Sequence, residues 1–227
     1  MQQPAKALTL DGHGVVYYRT VEVPDVVAKQ LAEEWNLPLS PTEVRNLYLS
    51  LQEEAFAETL PYPDMLHRFC QRIGGPALGK EEYVDSLIER YSAAIELDPD
   101  LKSVLQELRR RGVTIGMITN SIHPATSKSE WLKSNGVHEL FDVIVSSVDE
   151  KCRKPNPEIY RRFGERTSIP LDRTVFVGHD AREVKGAKEA GMITICLRCV
   201  CREADYEIRR FGEIVDLPIW PRVKEGI

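Results

Sequence analysis

Ala7-Leu8-Thr9-Leu10-Asp11-Gly12-His13-Gly14-Val15 is an apolar run that stops at a carboxylate and continues into a glycine-rich turn. A short apolar run bounded by turn residues reads as a buried strand. It presents a lone acid at the edge of a sheet, beside backbone N–H groups that can hold an anion. Nucleophilic aspartates occupy such places, because attack needs a fixed and accessible oxygen. His13 stands where a second carboxylate would be expected in an ordinary phosphate-handling turn.

Outward from that turn, residues from about 18 to 95 hold no convincing strand and read as four amphipathic helices. Val27, Leu31 and Trp35 recur at four-residue spacing before Pro38, which marks one apolar face. Ser40-Pro41-Thr42-Glu43 is a capping box with proline at the first helical position, and Val44, Leu47, Tyr48 and Leu51 follow on one face. Leu66, Phe69, Cys70 and Ile73 form a third stripe, stopped by Gly74-Gly75. Val84, Leu87, Ile88 and Tyr91 form a fourth. After Asp98-Pro99-Asp100 a helix carries Leu101, Val104, Leu105 and Leu108 as far as Gly112. Helical stretches then alternate with apolar runs at 113–118, 141–145, 174–177 and 193–197. That alternation predicts βαβ units and an α/β fold: a Rossmann-like parallel sheet with helices on both faces. The expected domains are an α/β core of 1–17 with 97–227 and an all-helical cap of 18–96. An insertion after the first strand would sit over the C-terminal strand ends, where open α/β sheets bind ligands, and reads as a lid.

Composition sets the outer bounds. The 227 residues are 42% hydrophobic and 29% charged, with a formal charge of −5, which describes a globular chain rather than a disordered one. Acids and bases are interspersed; no basic stripe suggests nucleic acid, and no long apolar segment suggests a membrane. Met1-Gln2-Gln3-Pro4-Ala5-Lys6 lacks the charged-then-apolar pattern of a signal peptide, so a cytoplasmic location is expected. The five cysteines are Cys70, Cys152, Cys196, Cys199 and Cys201. An odd count without a signal argues against a disulfide framework. The Cys196, Cys199 and Cys201 cluster has too few companions for a closed zinc site and reads as a strand end. Tyr206, Phe211 and Trp220 are candidates for packing on an edge strand.

Each main strand is predicted to end in polar chemistry. The first ends in Asp11, the second in Thr119-Asn120-Ser121, and the fourth in Gly178-His179-Asp180 with Glu183 three residues on. Lys154-Pro155-Asn156-Pro157 follows the third. In a parallel sheet these ends converge on one edge. A nucleophilic carboxylate, a hydroxyl with backbone amides, a lysine and an acidic loop make a coherent anion-transfer site.

This set resembles the haloacid dehalogenase superfamily of hydrolases, whose members are mostly phosphatases. The resemblance rests on Leu10-Asp11-Gly12-His13-Gly14-Val15, Ile118-Thr119-Asn120-Ser121, Lys154-Pro155-x-Pro157, and Val177-Gly178-His179-Asp180 with Gly186-Ala187-x-x-Ala190-Gly191-Met192. The helical insertion matches the family's C1-type cap. The resemblance implies Asp11 as the nucleophile of a covalent aspartyl intermediate, Thr119 as a phosphate-binding hydroxyl and Lys154 as the charge-stabilising base. His13 stands at the position of the family's acid/base and is a candidate for that role, and Gly12, Gly14, Asn120 and Ser121 are candidates for substrate binding. Mg2+ is the implied cofactor, with Asp11, His13, His179, Asp180 and Glu183 as candidate metal ligands. A small-molecule substrate, most simply a phosphorylated metabolite, is the implied partner; oligomeric state is unread.

Two departures keep alternatives open. Family phosphatases usually carry Asp two residues after the nucleophile and Asp directly after the fourth-motif glycine; here those positions are His13 and His179. The fourth loop is also one residue shorter, as in the dehalogenases and the phosphatase domain joined to epoxide hydrolases. An imidazole near its reference pKa of ~6.5 could protonate a leaving alkoxide and then deprotonate water. A metal-independent 2-haloacid dehalogenase would need no such acid; the Lys154-to-Tyr160 spacing fits that group, and Arg45 or Arg68 could hold a substrate carboxylate. His13, His179 and His123 together would favour a transition metal such as Zn2+ or Ni2+. A degenerate, phospholigand-binding or interaction protein is the non-enzymatic alternative.

Overall fold

In the computed structural model, which describes residues 3–56 and 60–221, the opening run forms strand β1 (Ala7–Asp11), buried along its whole length. The chain continues through β2 (Tyr17–Arg19), helices α1 (Val23–Glu34), α2 (Pro41–Phe56), α3 (Tyr62–Ile73) and α4 (Glu81–Ser92), and β3 (Ile95–Leu97). Then follow α5 (Leu101–Arg110), β4 (Thr114–Thr119), α6 (Ala125–Ser134), β5 (Val143–Ser146), α7 (Ser147–Glu150) and α8 (Pro157–Thr167). The last elements are β6 (Thr174–Gly178), α9 (Ala181–Glu189), β7 (Ile193–Leu197) and β8 (Tyr206–Ile208).

Six strands form one sheet in the order β5-β4-β1-β6-β7-β8, and every ladder is parallel. Strands covered on both faces read as continuous apolar runs rather than as an alternation. The chain fills the sheet on one side of β1 with β4 and β5, then crosses back to lay β6 against the other side. β1 therefore lies at the topological switch point, where the crevice beyond the strand ends opens. Beneath that crevice Ile118, Tyr160, Phe163, Phe176 and Val184 pack as buried neighbours, with the Tyr160 and Phe176 rings edge to face at 5.4 Å.

The chain divides into two compact units, 1–18 with 97–227, and 19–96. Within 19–96 the apolar stripes meet: Val27, Leu31, Val44, Tyr48, Leu51, Phe69, Val84 and Ile88 are buried, and Tyr48 meets Phe69 edge to face at 5.6 Å. The capping box forms as written, with Glu43 accepting from the Ser40 N–H at 2.8 Å and Ser40 Oγ accepting from the Glu43 N–H at 3.3 Å. Within the unit 1–18 with 97–227, Arg198 of the β7–β8 loop pairs with Asp98 and donates to the Tyr18 hydroxyl.

Three features differ from expectation. The insertion is not wholly helical, because β2 and β3 pair as a two-stranded ribbon where the chain leaves and returns. β8, also three residues long, adds an edge strand; runs that short carry no periodicity to read. Cys196 and Cys199 are joined by a disulfide, and Cys70, Cys152 and Cys201 are buried outside it. Of the late aromatics, Phe211 and Trp220 are buried, and the Trp220 indole donates to the Ile214 carbonyl at 2.6 Å.

Phe163 is fully buried beneath the sheet. Phe163→Ala should cost about 3–5 kcal/mol, read as a lowered urea midpoint with unchanged slope. A midpoint equal to that of the native chain would contradict the packing described.

Candidate functional site

Asp11 ends β1 with its side chain 8% exposed, and Oδ1 accepts the N–H of Gly12 at 2.7 Å. The turn beyond it closes on itself: the N–H groups of Val16 and Tyr17 donate to the Gly12 carbonyl, and Gly14 N–H donates to the Tyr17 carbonyl at 2.8 Å. Glycine is required at position 12 by close approach, because a Cβ there would lie 2.7 Å from Thr119 Oγ1. Thr119, the last residue of β4, thus brings its hydroxyl against the Asp11 turn, and among the described residues that hydroxyl has no hydrogen-bond partner.

Lys154 arrives from the loop before α8 and is fully buried. Its Nζ sits 2.5 Å from Asp11 Oδ1 and 2.7 Å from Glu183 Oε2. Asn120 holds that loop: its amide donates to the Lys154 carbonyl at 3.1 Å, and its Oδ1 accepts the Lys154 N–H at 2.9 Å. The same amide donates to Glu183 Oε1 at 3.1 Å. Burial alone would push the Asp11 carboxyl up, but Lys154 and His179 together outweigh it and hold the group down at about 2. Burial opposes the charged form of Lys154, and the carboxylates of Asp11 and Glu183 reverse the effect and raise its pKa. Glu183 is raised by burial, with Asp11 adding to the rise and Lys154 working against it.

His179 follows β6, and its Nδ1 lies 3.1 Å from Asp11 Oδ2. Two bare acceptors would repel at that distance, so Nδ1 carries the proton. The hydrogen bond to Asp11 raises the His179 pKa above 6.5, against an opposing contribution from burial. The imidazole rests over Gly14, whose φ is +84°, and a Cβ there would come within 2.7 Å of the ring. His13 is exposed, its ring centroid 6.5 Å from that of His179 and 6.2 Å from that of Tyr17.

Several expected site residues have other tasks. Asn120 braces Lys154 and Glu183, so its amide is engaged within the protein. Ser121 makes a local turn, its Oγ accepting the His123 N–H and its own N–H donating to Ser147 Oγ. Asp180 caps α9 by accepting the Arg182 N–H at 2.8 Å and pairs with the Arg182 guanidinium at 2.7 Å. An acid directly before a helix finds this role locally. His123 is buried against Trp131, ring centroids 5.1 Å apart, so the three strand-end histidines do not form one cluster.

The donor set does not fit Mg2+. A hard cation takes several oxygen ligands at once, yet among the described residues no group of three or more His, Cys, Asp or Glu side chains could hold a metal ion. Glu183 accepts from Asn120 through Oε1 and is ion-paired through Oε2 with Lys154, to which that oxygen makes no hydrogen bond; Asp180 is committed to Arg182, and each oxygen of Asp11 already meets an N–H or ammonium group.

Sequence reasoning passed over Lys128 and Tyr17. Lys128 is buried on α6, its Nζ donating to the Tyr17 hydroxyl at 3.2 Å and lying 3.7 Å from the centre of the Trp131 ring. Tyr17 Cε1 lies 3.3 Å from the Cβ position of Gly12, so this ring separates a second ammonium from the Asp11 turn. The available signal was helical spacing, since Lys128, Trp131 and Leu132 share a face.

A family model described as haloacid dehalogenase-like hydrolase matches residues 20–197. The chain is 30% identical over 140 residues to a phosphatase of Mycobacterium tuberculosis, covering 62% of this chain and 63% of that one. It is 28% identical over 178 residues to the glyceraldehyde 3-phosphate phosphatase of Methanopyrus kandleri, covering 76% and 74%. The chain therefore spans less than two thirds of the first relative. A solved 2-haloacid dehalogenase from Pseudomonas syringae pv. Tomato superimposes with a TM-score of 0.76 at 17% identity, covering 93% of this chain and 97% of that one; at that identity the likeness shows the fold.

The contact between Asp11 and His179 sets a pH signature. The folded pKa of His179 is raised, so its contribution to stability is complete below ~6.5 and is lost as pH rises through the folded value. Asp11 is lowered, so its contribution is present above 3.8 and is lost as pH falls toward about 2. In Asp11→Asn the His179 imidazole should titrate closer to ~6.5, followed by its NMR shifts; an unchanged titration would contradict the contact.

Proposed function

Because this chain belongs to the haloacid dehalogenase-like hydrolases, we propose that it cleaves a phosphate ester of a small metabolite through a covalent intermediate on Asp11. The contact of Asp11 Oδ1 with the buried Lys154 ammonium at 2.5 Å carries this reading. It keeps the carboxylate ionised despite burial and engages Oδ1, so that Oδ2 is the attacking oxygen. Lys154 offsets the charge that the phosphoryl group brings. The Thr119 hydroxyl receives a phosphoryl oxygen, as a preorganised donor at developing charge does, while the N–H groups of Gly12 and Gly14 are held within the turn by Asp11 Oδ1 and the Tyr17 carbonyl. His13, exposed and two residues beyond Asp11, supplies the proton for the departing alcohol and takes one back from water. Asn120 and Glu183 act by fixing Lys154. The resemblance brings Mg2+ with it, but the donor set described above does not fit that ion, and no step is routed through it.

The names of the curated relatives support phosphate esters as the substrate class. The dehalogenase alternative is less well supported. The Tyr160 hydroxyl is occupied by the Glu183 carbonyl at 2.7 Å, and the arginines that would hold a substrate carboxylate are paired, Arg45 with Asp25 and Arg68 with Glu54. A degenerate binding protein would have no need of the Asp11, Lys154 and Glu183 arrangement. Among the described residues no helix is long and apolar enough to cross a membrane. A cytoplasmic enzyme acting on a small molecule, without nucleic acid, is the reading that composition favours.

A panel of phosphate monoesters and 2-haloacids tests the proposal. Phosphate release should be found with at least one ester and fall at least about a thousandfold in Asp11→Asn, in the range that loss of a nucleophile produces. Halide release with no phosphate release, or activity that survives the substitution, would overturn it.

A further inference from the structure

A carboxylate offers about four places for donors or cations, two on each oxygen. On Asp11, Gly12 N–H and Lys154 Nζ fill both places of Oδ1, at 2.7 and 2.5 Å. His179 Nδ1 takes one place on Oδ2, at 3.1 Å. One lone pair remains, and in the proposed reaction it forms the bond to phosphorus. A divalent cation at this carboxylate must therefore displace His179 or occupy the attacking lone pair. Of the neighbouring acids, Asp180 is paired with Arg182, and Glu183 is held by Asn120 on Oε1 and by the charge of Lys154 on Oε2, which a cation there would oppose. Gly14, without a Cβ and at positive φ, leaves the space in which the imidazole reaches Asp11.

We propose that His179 takes the place of a divalent cation, its Nδ1–H holding Asp11 Oδ2 so that phosphoryl transfer proceeds on Lys154 and His179 without Mg2+. This rests on the phosphatase reading above. In the first step the free lone pair of Oδ2 forms an O–P bond as the P–O bond to the alcohol breaks, and the departing alkoxide takes a proton from His13. In the second, water forms a new O–P bond as the Oδ2–P bond breaks, and its proton returns to His13. One water is consumed, and alcohol and inorganic phosphate are released. His179 supports the carboxylate as it leaves phosphorus, a place where a donor in a sheltered site contributes strongly.

The test uses the full chain treated with EDTA, an ester from the panel, and Mg2+ alone as the calorimetric probe. Phosphate release in EDTA should stay within about twofold of that in millimolar Mg2+, and Mg2+ should give no saturable heat. His179→Asp, which supplies an oxygen ligand, should bind Mg2+ saturably; its activity should fall at least about tenfold in EDTA and return with Mg2+. His179 is 40% exposed on its side chain, and thermal unfolding of the variant checks that it folds. Native activity lost in EDTA and restored by Mg2+, or saturable Mg2+ binding by the native chain, would overturn the inference while leaving the phosphatase reading intact. Absence of phosphate release under both conditions would count against the phosphatase reading, and the calorimetry would still decide the question of the cation.

Discussion

The buried contact between Lys154 and Asp11 is the constraint on which the site depends. An ammonium and a carboxylate removed from water are each costly, and their attraction offsets that cost only when geometry and further hydrogen bonds are good. Here the conditions are met by a network: Gly12 N–H on Asp11, Glu183 on the far side of the ammonium, and Asn120 holding the Lys154 backbone from both directions. Removing one member strands the others, so these residues act as a unit. The same network engages Oδ1 of Asp11 fully and leaves Oδ2 with His179 alone.

That network is a product of sheet topology. β1 is flanked by β4 and β6, and the chain reverses its direction of growth there. Groups far apart in sequence, Asp11, Thr119, Lys154 and His179, reach one edge because parallel strands deliver all their C-terminal ends to the same side. Glycines at 12 and 14 then permit the close approach of Thr119 and His179 that a side chain would prevent.

Much of this was legible because strand ends announce themselves. Asp11, Thr119, Lys154 and Glu183 each follow an apolar run, and the alternation of runs and helices predicts a parallel sheet without any side-chain detail. What periodicity does not encode is the direction of a polar group once it reaches the edge. Asn120 and Ser121 look available in sequence but turn to neighbouring loops, and Asp180 caps its own helix. His179 occupies a position that the resemblance assigns to a metal-binding acid, yet its ring meets Asp11, an outcome set by the clearance over Gly14. β2, β3 and β8 were missed because three residues cannot show a period of two.

The covalent intermediate is the central claim, and peptide mapping reaches it most directly. Protein mixed with a phosphate ester labelled at phosphorus is quenched in acid and digested with trypsin. Cleavage after Lys6 and Arg19 releases a peptide in which Asp11 is the sole carboxylate side chain. Label on that peptide, absent from Asp11→Asn, is the predicted result. Label confined to another peptide, or phosphate release with no labelled protein, would contradict the account.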